Sequence, residues 1–227
     1  MWTIARYQPT AFFSLKPHMA TSSGGKTLIV PTPFAVKTAL LDAAIRSQGL
    51  AQAKEQFASL RALHVAARLP RRIVVNNTFN RVLRAARSPS PGQWPYQRTI
   101  GFREYVHFAG PLEFALAGMR HEDLTPLLIQ VNYLGKRGGF MQLLAEPRQS
   151  EDLPPGFTVL TGEVNGTFPL GTLQMVDDWG AKMTFDHINI YSHKPIRTGT
   201  HRVFHHVVLP HRPVRSSKSF TLYERGN

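Results

Sequence analysis

The sequence predicts an α+β fold: a ferredoxin-like (RRM-like) βαββαβ domain with an inserted β-hairpin and a C-terminal β-rich extension. In the first 145 residues, strand and helix patterns follow one another in that order, the layout of an RNA-recognition module. Between Asn76 and Gly101 this periodicity stops, which marks an insertion. The 227 residues, 42% hydrophobic and 18% charged, can bury a substantial core. We place the first domain at 1–147, with the hairpin at about 76–101, and the extension at 148–227.

The first predicted elements are a strand, two helices and a second strand. Residues 2–15 alternate weakly and are rich in aromatic and branched side chains, which indicates a strand. Thr32 supplies a cap and Pro33 a first-turn proline for the clearest helix of the chain. A second helical pattern follows over 50–69, and 71–75 is typical of a buried strand that two arginines precede.

The later elements are a strand, a short helix and a further strand. A strand pattern resumes over 102–116, a helix opens at His121 and continues to Val131, and a strand covers 140–144. The extension then contains short strand patterns that Gly and Pro turns separate. They lie around 157–160, 188–191, 203–209 and 219–223.

The charge is strongly uneven along the chain. Lys and Arg number 27 against 14 Asp and Glu, and residues 1–100 hold 14 of the cations but only Asp42 and Glu55. Of the formal net charge of +13, +12 therefore lies in this first part. Solubility does not require such a concentration, whereas binding to a polyanion does, because each neutralised phosphate releases counterions. The pattern favours nucleic acid over an acidic protein or a membrane surface.

The stretch ATSSGGKT, residues 20–27, fits the loose form of a phosphate-binding loop. A working loop of this kind leads directly into a helix, whose N-terminus faces the phosphates. Here five residues separate Thr27 from the helix that begins near Pro33, and Pro17 weakens the preceding strand. A nucleotide-driven enzyme is therefore disfavoured. Two interpretations stay open: a flexible glycine loop, and a loop whose Lys26 contacts a nucleic-acid backbone.

The interval from Arg71 to Arg103 combines seven arginines with aromatic residues and contains no acid. Guanidinium groups pair with phosphates through two hydrogen bonds, and exposed bases stack on aromatic faces. A long hairpin that carries both fits a single strand of RNA. The alternative is a solvated basic hairpin with a few structural aromatics. The predicted RNA-binding residues here are Arg71, Arg72, Arg81, Arg84, Arg87, Trp94, Tyr96 and Arg98.

A glycine-rich loop separates the helix at 121–131 from the strand at 140–144. Its glycines permit a close approach of the backbone to a ligand, and it contains two cations. An ordinary helix cap and turn would require only one glycine. The predicted RNA-binding residues here are Gly135, Lys136, Arg137, Gly138 and Gly139.

No catalytic or metal-binding pattern stands out. There is no cysteine, which excludes disulfides, thiolate zinc sites and thiol nucleophiles. Alternation along a strand places His205 and His206 on opposite faces, which argues against a shared metal, and Asp177-Asp178 is typical of an acidic turn. The longest apolar runs are far below the roughly 18 residues that span a bilayer. We expect a cytoplasmic protein with no cofactor, metal or membrane partner.

Two sets of residues resemble a known family. Ala5-Arg6-Tyr7 with Pro9, followed by Lys26-Thr27 and by Pro31-Thr32-Pro33 at the start of a helix, is similar to the first strand and helix of the repeat-associated RAMP proteins. The segment 131–140, VNYLGKRGGF, is similar to the glycine-rich loop of that superfamily. Among its members the chain most resembles the Cas-five subunits of type I CRISPR effector complexes. The resemblance covers roughly residues 1–145.

The resemblance implies a function and partners. Such subunits cap the 5′ handle of the CRISPR RNA, with a hairpin thumb near the junction with the guide, and bridge the backbone subunits and the large subunit. Target DNA near the PAM is a further implied partner. The segment 76–101 would be the thumb, and Lys136 and Arg137 would hold the RNA backbone.

Two other functions stay open. Some family members cleave precursor RNA without a metal, and a histidine among His18, His107 and His201 would then act as acid or base. The sequence offers no convincing catalytic set, so we expect a protein that is not an enzyme. The chain could also be a basic RNA- or DNA-binding scaffold protein.

Overall fold

The structure is a computed structural model that describes residues 1–20, 25–88, 91–92, 94–135, 138–162 and 170–226. It is a mixed α+β fold in which the paired strands of each sheet are antiparallel. The first half contains β1 (Trp2–Pro9), α1 (Pro33–Gln48), α2 (Leu50–Ala62), β2 (His64–Arg68), β3 (Arg72–Ala85), β4 (Tyr96–Phe108) and β5 (Leu112–Ala117). The second half contains α3 (His121–Gln130), β6 (Met141–Leu143), β7 (Arg148–Ser150), β8 (Thr158–Val159), β9 (Thr172–Trp179), α4 (Phe185–Ile188), β10 (Arg202–Leu209), β11 (His211–Ser216) and β12 (Phe220–Arg225).

The first sheet has the strand order β6-β1-β5-β2-β8, and β7 pairs with β1 beside β6. Alternate residues of its central strands, among them Tyr7, Val65 and Phe114, are buried in the main core. The helix α3 lies against β1 and α1, and the Tyr7 hydroxyl donates to the Leu128 carbonyl at 2.8 Å. Burial raises the pKa of Tyr7 above its ordinary value. The sheet therefore buries one face against the helices.

The predicted first helix is confirmed, together with its cap. The Thr32 hydroxyl accepts from the Ala35 amide at 3.2 Å, Pro33 occupies the first turn, and Gly49 ends the helix with φ of 88°. The predicted second helix is too long, because α2 ends at Ala62. The following residues 64–68 form β2, which pairs with β5 on one side and β8 on the other. Strand pairing in the tertiary fold outweighs the weak helical preference of this short segment.

The second sheet has the order β11-β12-β3-β4 and carries the long hairpin. The predicted hairpin at 76–101 is longer in the structure, because the segments at 71–75 and 102–108 are the inner ends of the same two strands. Ile73 and Val106 are buried at these inner ends. Since β12 pairs with β3 over Phe220–Glu224, the C-terminal residues complete the sheet from which the hairpin extends.

A two-stranded sheet of β9 and β10 packs on α1. Trp179 stacks on Phe57 with ring centroids 4.8 Å apart, and the Lys37 ammonium lies 2.8 Å from a carboxylate oxygen of Asp178. Burial lowers the pKa of Lys37, and the Asp178 charge opposes this shift. The strand predicted at 188–191 is wrong, because these residues close α4 and a turn. Across the described ranges, no helix combines the length and the apolar character needed to cross a bilayer.

Candidate nucleic-acid interface

The hairpin of β3 and β4 projects from the core as a two-stranded ribbon. Its register pairs Asn77 with Glu104 at the base and Ala85 with Tyr96 near the tip, a span of roughly 26 Å at about 3.3 Å per residue. Nearly all side chains beyond the base are at least partly exposed. The ribbon therefore offers two solvent-facing surfaces.

The pleat divides the predicted arginines between these two surfaces. We call the surface that continues from buried Ile73 the inner face; it carries the cross-strand pairs Arg81–Ile100 and Leu83–Arg98. The outer face carries the pairs Thr78–Arg103 and Arg84–Gln97. Opposite residues share a face because side chains alternate along a strand. Arg81 and Arg98 therefore point to one side of the hairpin and Arg84 to the other, so the predicted RNA-binding arginines do not lie on a single face.

The aromatic residues lie mainly on or beside the inner face. Tyr96 pairs with Ala85 there, and its ring centroid lies 5.5 Å from that of Trp94. Trp94 is 70% exposed. Arg87 is also exposed and follows the end of β3 near the tip. The predicted stacking residues are thus accessible, although they do not share the face of Arg84.

The outer face continues from the hairpin onto the open side of the second sheet. Val74, Asn76, Tyr105, Phe220 and Leu222 are half-exposed there, in adjacent positions of three neighbouring strands. Arg103 lies at the junction with the hairpin, and the Arg215 guanidinium is 5.8 Å from the centroid of the Phe220 ring. Sequence reasoning missed this platform, because its residues come from strands more than 100 positions apart.

The glycine-rich loop lies beside this outer face. A cleft of about 250 Å³ is lined by Tyr105 of β4 and by Gly138 and Gly139 of the loop, together with Phe12, Phe13, Ser14 and Leu134. Gly138 has φ of 104°, a conformation that glycine adopts without strain. Gly135, with φ of 75°, lies so close to the Leu15 side chain that a Cβ would be 2.3 Å from it. The predicted cations Lys136 and Arg137 lie outside the described residues.

The loop at Gly25–Thr27 is fixed to the base of the hairpin. The Glu104 amide donates to the Gly25 carbonyl at 2.7 Å, and the Glu104 carboxylate accepts from the Lys26 ammonium at 2.7 Å and from the Thr27 amide at 2.9 Å. Lys26 is therefore paired with a buried acid, while its own side chain stays 68% exposed. No helix follows Thr27 directly, so the geometry of a phosphate-binding loop is absent from the described residues 25–33.

Glu104 also affects the neighbouring Tyr223. Burial raises the pKa of the Tyr223 hydroxyl, and the negative charge of Glu104 raises it further. One signal in the chain could have indicated this arrangement, since Glu104 is the first acid after the arginine-rich interval.

Arg71 and Arg72 lie at the opposite end of β3 from the hairpin tip. Arg72 donates to the Glu224 carboxylate at 2.7 Å, and Arg71 lies thirteen positions before Arg84, roughly 40 Å along an extended strand. The structure therefore does not bring these two arginines to the hairpin, contrary to the sequence prediction of one RNA-binding set.

The histidines proposed as an acid or base lie on different elements. The His107 ring is exposed on the outer face and contacts Phe12, with ring centroids 5.5 Å apart. The His18 ring lies 4.7 Å from that of Phe204, and Nδ1 of His201 accepts from the Arg197 amide. Over the portion of the chain that is described, no three His, Cys, Asp or Glu residues form a group that could hold a metal.

Known proteins were compared with the chain through sequence and through structure. No protein-family model matches it. A curated protein named CRISPR-associated protein Cas5, from Archaeoglobus fulgidus, is 23% identical over 202 residues, which cover 86% of this chain and 87% of that protein. A solved chain from a CRISPR RNA-guided surveillance complex covers 99% of this chain and 90% of its own length, with a TM-score of 0.50 and 11% identity. A crystal structure of a CRISPR protein from Archaeoglobus fulgidus covers 100% of this chain and 92% of its own, with a TM-score of 0.43 and 10% identity.

The comparison of sequences and the comparison of structures therefore both lead to CRISPR proteins. The curated protein matches 86% of the chain, which is more than the roughly 145 residues that the motifs covered. The chain of the surveillance complex, at 11% identity, shows likeness of fold alone. The predicted resemblance is confirmed: the chain is similar, over most of its length, to a curated protein named CRISPR-associated protein Cas5.

Proposed function

We propose that this chain is a non-catalytic, cytoplasmic RNA-binding subunit of a CRISPR surveillance complex. It caps the 5′ handle of the CRISPR RNA and bridges the backbone and large subunits. The Cas5 homologue and the likeness to a chain of a surveillance complex support the CRISPR setting. The proposal accounts for the concentration of positive charge in the first 100 residues.

The proposal includes a finer description of the fold. Taken in chain order, β1, β2, β5 and β6 lie in the sheet as 4-1-3-2, with neighbouring strands antiparallel. This order supports a ferredoxin-like unit. The long hairpin leaves the chain between the second and third of these strands, and we assign it as the thumb.

The observation that carries the proposal is the cleft between Tyr105 and the loop glycines Gly138 and Gly139, at the base of the hairpin's outer face. A single strand of RNA can place a base against Tyr105 and its phosphates along Arg103 and Arg84. Stacking on an aromatic ring contributes roughly 1–3 kcal/mol per base, and guanidinium groups bind phosphate through paired hydrogen bonds.

The inner face of the hairpin has a chemistry that fits a neighbouring protein subunit. Phe79, Leu83 and Ile100 are 72%, 56% and 71% exposed. Leu83 and Ile100 offer no ring for base stacking, and together with Phe79 they supply apolar contact area of the kind found at protein interfaces. A protein on this face and RNA on the other would let one hairpin support both capping and bridging.

The experiment compares charge reversal on the two faces of the hairpin. We expect the double variant Arg84→Glu/Arg103→Glu to bind a single-stranded RNA of the organism's own CRISPR repeat at least tenfold more weakly in fluorescence anisotropy. The slope of log binding constant against log salt concentration should become less steep by about 1.5, because each phosphate contact on a single strand contributes roughly 0.7 and two contacts are lost.

The matched control is Arg81→Glu/Arg98→Glu, which makes the same charge change on the inner face. It should retain most of the RNA affinity and instead reduce co-purification with the other subunits of the complex. Equal losses from both variants would indicate a bulk charge effect and would contradict the proposed division of the hairpin.

A second candidate is a metal-independent endoribonuclease that processes precursor CRISPR RNA. It is favoured by the position of His107, which is exposed on the same face as Tyr105 and two residues from it on β4. An imidazole there can act as a general acid or base. Specific cleavage of repeat RNA in EDTA that is lost in His107→Ala would establish this function instead of capping alone.

A further inference from the structure

A band of arginines crosses the molecule at the end opposite the hairpin tip. In the first sheet, Arg6, Glu113 and Arg68 are direct cross-strand partners on β1, β5 and β2. In the second sheet, Arg72 and Arg212 lie on either side of Glu224. Each sheet thus contributes a row of the form Arg-Glu-Arg.

The two rows meet where β2 leads into β3. This connection contains Arg71, whose carbonyl accepts from the Arg225 amide at 2.9 Å. A cleft of about 290 Å³ lies at this junction, and Arg68, Arg71, Glu113 and Arg225 all line it. We call the two rows together with Arg71 and Arg225 the arginine band.

The acids of the arginine band neutralise only part of its charge. It contains six arginines, Arg6, Arg68, Arg71, Arg72, Arg212 and Arg225, and two glutamates, which leaves an excess of four positive charges. Glu113 is shared, because both Arg68 and Arg6 approach its carboxylate. Glu224 accepts from Arg72. Within the described part of the chain, Arg71 and Arg212 form no ion pair, and both are exposed.

The type of cation indicates the chemistry of the ligand. Every cation of the arginine band is arginine, whose planar guanidinium matches a phosphate through two parallel hydrogen bonds. A carboxylate can be bound in the same way. The arginine band's own carboxylates, Glu113 and Glu224, leave its excess of four positive charges for an external anion. A flexible polyanion with regularly spaced phosphates can reach several of these guanidinium groups at once, with release of counterions.

We infer that the arginine band is a second nucleic-acid site, which binds the phosphodiester backbone independently of the hairpin. Arg71, immediately before β3, and Arg84 are thirteen positions apart, so the two sites lie roughly 40 Å apart along the strand. The ligand is a second nucleic-acid strand, or a distant part of the one that contacts the hairpin. The inference does not depend on the proposed capping function.

The test uses Arg71→Glu/Arg212→Glu, since both side chains are exposed and neither takes part in the three Arg–Glu pairs of the arginine band. Fluorescence anisotropy would measure binding to a 20-nucleotide single-stranded RNA and to a 20-base-pair DNA duplex over a series of salt concentrations. We expect at least tenfold weaker binding of one or both probes. The dependence of log binding constant on log salt concentration should become less steep by about 1.5 to 2, as expected for two lost phosphate contacts.

The matched control is Lys182→Glu/Lys194→Glu, which makes the same charge change at exposed positions outside the arginine band. Thermal denaturation of each variant would verify folding, and Arg71→Lys/Arg212→Lys, which keeps the charge but loses the paired hydrogen bonds, should show an intermediate loss. A loss confined to the RNA or to the duplex identifies the source of the backbone, and a loss for both indicates general backbone binding.

Two outcomes would overturn the inference. One is unchanged affinity for both probes, which would leave an acidic protein as the partner of this surface. The other is an equal loss in the lysine control, which would indicate net charge alone. The variants that test the arginine band and those that test the hairpin change different residues. A failed inference about the arginine band can therefore be distinguished from a failed proposal of capping.

Discussion

Replacement of Lys37 by methionine should strongly destabilise the protein, because it removes the ammonium group that pairs with the buried Asp178 carboxylate. The side chains of Lys37 and Asp178 are only 2% and 7% exposed. The Lys37 ammonium lies 2.8 Å from Asp178 and also donates to the Arg61 carbonyl at 2.9 Å. One side chain of α1 is thus joined to β9 and to the end of α2.

The expected cost follows from this burial. Loss of one partner from a buried ion pair typically lowers the free energy of unfolding by about 3–5 kcal/mol. For a chain of this size, each kcal/mol corresponds to about 2–4 °C in Tm, so Tm should fall by roughly 6–20 °C. The exposed pair of Arg46 and Asp42 on the same helix is the control, and Arg46→Met should cost less than about 1 kcal/mol.

The assay is denaturant unfolding followed by circular dichroism, with the double variant Lys37→Met/Asp178→Asn as a second measurement. The asparagine removes the unpaired charge, and its side-chain carbonyl can still accept from the Trp179 amide, as the Asp178 carboxylate does at 2.7 Å. The double variant should therefore recover most of the lost stability. The reasoning is refuted if Lys37→Met costs less than about 1 kcal/mol, or if the double variant is as unstable as the single one.

Three further predictions concern the interface and its supports. Gly25→Ala should lower stability by about 1–3 kcal/mol in denaturant unfolding, because its Cβ would lie 1.9 Å from the Phe102 carbonyl oxygen; an unchanged midpoint would contradict the packing. Tyr105→Ala should weaken RNA binding roughly 5- to 150-fold, equivalent to about 1–3 kcal/mol of stacking. Tyr105→Phe, which keeps the ring, should bind normally; a loss in this variant would indicate a contact through the hydroxyl instead of stacking. Burial lowers the pKa of His211 below its ordinary 6.5, although its bond to the Pro70 carbonyl opposes the shift. In the unfolded chain His211 takes up a proton more readily than in the folded protein. The contribution of His211 to the free energy of unfolding should therefore be fully present above pH 6.5 and decline as the pH falls below it, and this decline should be smaller in His211→Gln.

The sequence predicted the parts of the fold that local physics controls. The cap of Thr32 and the first-turn Pro33 place the start of α1, because they satisfy backbone groups within one turn of the chain. The loss of periodicity after Asn76 located the hairpin, and the uneven charge and the glycine-rich segment led to the family. The strand β2 was missed, since its residues pair only with segments distant in the chain.

The tertiary structure alone decided which residues share a surface. The residues of the arginine-rich interval were known from the sequence, but the register of β3 with β4 placed Arg98 on the face of Arg81 and Arg103 on the face of Arg84. A shift of one residue would exchange the two faces. Likewise, only long-range pairing brings Glu104 onto Lys26, and it leaves Arg71 roughly 40 Å along β3 from the hairpin arginines. Charge and local propensity are properties of the chain, whereas the direction of a side chain depends on pairings that only the fold establishes.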